Sequence, residues 1–79
     1  MKTFYEICES HGWNDEKQEY DMQPLCYFQN IYHAYDYCDE MNAGTNNYIP
    51  PIENVASELT KYGSADVGYL TIIEHEFED

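Results

Sequence analysis

Thirteen net negative charges on 79 residues constrain this chain more than any other feature. Sixteen Asp and Glu stand against three lysines, Lys2, Lys17 and Lys61, and there is no arginine. Like-charge repulsion on this scale opposes compaction. Such a chain either stays disordered or has been shaped by a positively charged partner. Disorder goes with few aromatic and β-branched residues. Here nine Tyr, three Phe and one Trp are spread among Ile, Val and Leu. That is enough apolar material for one small core, and the length allows one domain over residues 1–79. A domain of this size buries only about 60% of its unfolded surface, and a homodimer is one way to enlarge its core.

No apolar run approaches the ~20 residues that a membrane span needs. Residues 1–6 lack the apolar centre of a signal peptide. Cys8, Cys26 and Cys38 are an odd, widely spaced set. They read as reduced thiols packed as small hydrophobes, not as a disulfide framework. A cytoplasmic protein is expected. An acidic surface is repelled by nucleic acid and by anionic membranes, so neither is expected to be bound directly.

The pattern along the chain predicts an α+β domain: a sheet of about three strands with one or two helices on one face. Residues 3–9 alternate as a strand, with Phe4, Glu6 and Cys8 opposite Tyr5 and Ile7. They also fit a helix capped by Thr3 and Glu6 and closed by Gly12. The strand is preferred for its aromatic and β-branched content. A mostly helical chain with residues 3–11 as a third helix is the other reading. His11 to Asp15 reads as a turn within a polar connection over 10–24. Leu25 to Phe28 follows Pro24 as a short edge strand. Over 30–42, Ile31, Ala34, Tyr35, Cys38 and Met41 make one helical stripe, with Asn30 as N-cap. A second stripe, Ile52, Val55, Ala56, Leu59 and Tyr62, starts a helix at Pro51 and ends it at Gly63. Residues 66–78 read as the longest strand.

Three sets of residues are candidates for contact with a basic partner. Asp36, Asp39 and Glu40 share an exposed helical face, with acid in the last turn against the helix dipole. Glu74, Glu76 and Glu78 alternate with His75 and Phe77, a row of carboxylates about 6.7 Å apart. That spacing is near two phosphate steps of one DNA strand, ~3.4 Å each. The same row also reads as a solvated strand end, kept from edge pairing by charge. Asp15, Glu16, Glu19 and Asp21 make the 10–24 segment acidic. Trp13, Tyr32 and Tyr37 are aromatic candidates beside these carboxylates, suited to stacking on arginine; small-core filler is their plainer role.

Enzymatic chemistry has little to stand on. The cysteines and His11, His33 and His75 show no nucleophile–base spacing, and no glycine loop cradles phosphate. No zinc-type or EF-hand spacing occurs, so no metal or other cofactor is expected. In size, acidity and single-domain character the chain resembles the small anti-CRISPR and anti-restriction inhibitors of phages and mobile elements, several of which imitate the charge of DNA. The resemblance is of character across the whole chain, without a shared motif. It implies an inhibitor that occupies the basic nucleic-acid groove of a nuclease or CRISPR complex. A small acidic adaptor, binding a basic protein without imitating nucleic acid, is the alternative.

Overall fold

A computed structural model describes residues 2–78. The chain runs β1 (Lys2–Asn14), β2 (Glu19–Phe28), α1 (Ile31–Met41), α2 (Ile52–Tyr62), β3 (Ser64–Val67) and β4 (Leu70–Phe77). The strands form one antiparallel sheet in the order β2-β1-β4-β3. Both helices lie on one face of it, α1 over β1 and β2, α2 over β3 and β4. The α+β expectation is met with one strand more than anticipated.

Alternation explains the layering. On the helix side, cross-strand register lines up Ala65, Ile72, Ile7 and Cys26 in one row, and Val67, Leu70, Glu9 and Gln23 in the next. Ala34 and Cys38 of α1 and Val55 and Leu59 of α2 close over them and form the buried core with Ile7, Ala65, Val67, Leu70 and Ile72, while Cys26 packs at its margin and Glu9 and Gln23 lie outside it. Many of the side chains are small, as a domain of this length requires. The preference for a strand over residues 3–9 is correct: Ile7 is fully buried between neighbouring strands.

α1 keeps its expected limits. The Asn30 side chain accepts from the backbone N–H of Tyr32 and His33, satisfying donors that a helix start leaves free. Met41 is exposed, however, and Asn42 takes its place in the core. α2 begins one residue late, because Pro51 is the cap and Ile52 the first helical residue. Tyr62 leaves the stripe and is exposed. Gly63 ends α2 at φ 77°, a left-handed conformation that suits glycine, and the chain turns straight into β3.

Three sequence expectations are corrected. His11–Asp15 is not the turn. β1 continues to Asn14, and Gly12 at φ 94° lies within a break in register rather than at a chain reversal. The reversal comes at residues 15–18, and β2 starts at Glu19 rather than Leu25. Residues 66–78 are not one strand. Gly68 takes φ 64° in a two-residue turn that separates β3 from β4. All three misreadings have one cause: local alternation does not reveal where a strand folds back.

Candidate functional site

The carboxylates are distributed unevenly between the two sides of the sheet. Glu9, Glu74 and Glu76 point to the helix side by register. Asp36, Asp39 and Glu40 on α1 and Glu53 and Glu58 on α2 are exposed on the same side. Among the described residues, register places only Glu6 and Asp66 of the carboxylates on the open face, together with Lys2 and His75. The helix side is the anionic one.

Two tyrosines register the local field. Tyr35 of α1 is held above its usual ionisation range, first by burial and then by the charges of Asp39, Glu53 and Asp36. Its hydroxyl donates to the carbonyl of Pro50 at 2.6 Å, which ties α1 to the segment leading into α2. Carboxylates from both helices therefore converge around one anchored ring. Tyr5 of β1 is also raised, by burial first and then by Glu74 and Glu76. The Glu74–Glu76 row is real, but it faces the helix side beside Tyr5. Glu78 lies beyond the last residue of β4 and is exposed.

A second acidic group lies on a projecting arm. Pairing of β1 with β4 stops at Glu9, while β1 and β2 stay paired out to Asn14 and Glu19. The end of this ribbon carries exposed Asp15, Glu16 and Glu19 with half-buried Asp21. Asn14 organises it: its amide donates to the Asp21 carboxylate at 3.2 Å, and its carbonyl oxygen accepts from the Lys17 backbone N–H at 3.1 Å. Trp13 and Tyr20 face each other across the ribbon, edge to face with centroids 5.2 Å apart. Trp13 is thus exposed on a strand rather than in a loop.

The aromatic candidates on α1 separate. Tyr32 is 63% exposed beside the acidic patch. Tyr37 is partly buried and packs on Phe28 at 5.5 Å. Burial, followed by the nearby Cys26 thiol, holds its hydroxyl above the usual ionisation range. Position i+5 from Tyr32 turns inward over β2.

Sequence reasoning missed the centre of the open face. His75 Nε2 lies 2.9 Å from Glu6 Oε1, and the Tyr27 hydroxyl donates to Glu6 Oε2 at 3.1 Å. His75 and Glu6 are 69 residues apart, so only strand register reveals the pair. Cys8 is next to Glu6 on the same face. Burial, followed by the Glu6 charge, pushes its thiol up to about 11, and burial pushes Cys38 up to about 12. Both stay protonated at neutral pH, which is the wrong state for a nucleophile. Among the described residues no group of three or more His, Cys, Asp and Glu is arranged to hold a metal ion, and no helix is long and apolar enough to cross a membrane.

Fold and charge together define a sheet-and-helix domain with an anionic helix side, an acidic arm and a nearly neutral open face. Compared with family models, curated proteins and solved structures, the chain matches none.

Proposed function

We propose that the protein is a nucleic-acid-mimicking inhibitor, which lays its anionic helix side and arm in the basic nucleic-acid groove of a defence nuclease or CRISPR complex. The observation that carries this reading is the uneven placement of charge. A protein acidic merely for solubility would spread its carboxylates over every face. Here Asp36, Asp39, Glu40, Glu53, Glu74 and Glu76 share one side with no arginine among them. Glu78 is exposed just past the end of β4, and Asp15, Glu16, Glu19 and Asp21 carry charge along the arm. Long-range attraction speeds encounter with a cationic groove by 10- to 1000-fold or so. Affinity then depends on desolvated anchors, for which Tyr32 and Trp13 are the exposed aromatics adjoining the charge.

The test is a panel of CRISPR surveillance complexes and restriction endonucleases assayed for DNA binding with and without the protein. The expected result is inhibition that excess nucleic acid reverses and salt weakens. Lys at 36, 39 and 40 should abolish it, and Lys at 74, 76 and 78 should weaken it. If both triple variants inhibit like the parent, the helix side is not the contact surface. If the protein binds such a complex without displacing saturating DNA or RNA, it is an acidic adaptor and not a mimic.

A further inference from the structure

The open face of the sheet has a use of its own, independent of the charge reading. It carries little charge: its carboxylates are Glu6, 2.9 Å from His75 Nε2, and Asp66, which accepts from the Thr71 hydroxyl at 2.9 Å, and Lys2 stands against them. No helix covers it, yet its aromatics are large. Phe77, 53% exposed, stands at one end, braced edge-on by Phe4 at 5.5 Å. At the other end is an open groove of about 560 Å³, whose lining includes Ser10, Met22 and Thr71 with Tyr20 as a wall. Thr71 and Phe77 lie on the same strand and the same face, six residues and about 20 Å apart.

A projection at one end and a hollow at the other make this face complementary to itself. A two-fold axis lying in the plane of contact, across the strands, turns β4 end for end. Phe77 of each copy then falls over Thr71 of the other, as an isologous interface demands. We propose that two copies of this chain pair open face to open face, each seating Phe77 in the other's groove. Charge selects this occupant. A chain with a net charge of −13 repels itself through its helix side and its arm, and the open face is where two copies meet with little like charge between them. Area permits it. Strands about 4.8 Å apart, three of them over about eight residues and β3 over its short span, each residue rising about 3.4 Å, give roughly 450 Å² per copy. The pair buries about 900 Å², the size of a weak, concentration-dependent association. The anionic helix sides then point outward on both copies.

Sedimentation velocity across a concentration series, at low and high salt, reads the association. The expected species has twice the chain mass, and dimerisation tightens as salt screens the remaining repulsion. Phe77→Asp should weaken the dimer by about 30-fold or more, as loss of a buried aromatic anchor does. Thr71→Arg should do the same by blocking the groove. Circular dichroism checks that each variant is folded. Mixed together, the two variants should form a heterodimer, because one Phe77 still finds an open groove and the other pair sets Asp against Arg. A parent that stays monomeric at every concentration overturns the proposal. So does a dimer indifferent to both substitutions, or a mixture of folded variants that fails to associate.

Discussion

At the scale of single residues, Asn42 is the most constrained side chain. It is 4% exposed in the core. Its amide donates to the carbonyls of Cys38 at 2.8 Å and Val67 at 3.0 Å. Its side-chain oxygen accepts from the Tyr69 backbone N–H and the Asn47 amide, each at 3.2 Å. One side chain thus closes the end of α1 and pins the β3–β4 turn. The turn is built around it, since a Cβ on Gly68 would collide with the Asn42 amide. Asn42→Ala should cost about 2–4 kcal/mol, because it strands the Val67 carbonyl and the Tyr69 N–H in the interior. Urea unfolding followed by circular dichroism measures this, and a loss under about 1 kcal/mol would mean that water replaces the amide. The sequence shows Asn42 only as a residue where the helix must end. Its partners at 67 and 69 lie too far along the chain for periodicity to find.

At the scale of elements, local signals were legible and distant pairings were not. α1 is written in a 3.6-residue stripe and an N-cap, both of which depend on neighbours within four residues. β1 and β4 are likewise written in alternation. The arm is not, because its strands beyond Ser10 are polar and are held by contacts across the ribbon, Trp13 on Tyr20 and Asn14 on Asp21. The acidic residues there could be read as charged but not as projecting. The same limit hid the direction of Glu74 and Glu76, since alternation shows that they share a face but not which face the helices cover. Ser10 pairs with Met22, so replacing residues 11–21 by Asn-Gly joins them through a two-residue turn. That removes four carboxylates, one lysine and the Tyr20 wall of the open-face groove, and no residue of the buried core. A two-stranded ribbon adds little stability by itself. The shortened protein should therefore unfold within about 1 kcal/mol of the parent while losing inhibitory affinity. Thermal melts and the DNA-binding assay read the two effects separately. Unchanged inhibition would confine the contact surface to the helices and β4.

At the scale of the whole molecule, charge and stability pull in opposite directions, and α1 is where they meet. α2 obeys its dipole, with Glu53 in the first turn and Lys61 in the last. α1 has no acid in its first turn and no base in its last, and it carries Asp39 and Glu40 at its C-terminal end. Negative charge there is unfavourable by about 0.3–1 kcal/mol per group at low ionic strength, and the other carboxylates on the helix side add repulsion. Features kept at a cost in stability are characteristic of functional surfaces, which is what the proposed inhibitor reading requires of this one. Replacing Asp36, Asp39 and Glu40 by Asn, Asn and Gln should therefore stabilise the protein by about 1 kcal/mol at low salt, a gain of about 4–8 °C in Tm for a domain of this size. The gain should shrink as salt rises, because the Debye length falls from about 30 Å at 0.01 M to about 3 Å at 1 M. Inhibition should fall in the same variant. Melting curves at several salt concentrations, with the DNA-binding assay beside them, test the pairing of the two effects. A variant that gains stability at low salt and inhibits as well as the parent would show that the acidic end of α1 serves no partner.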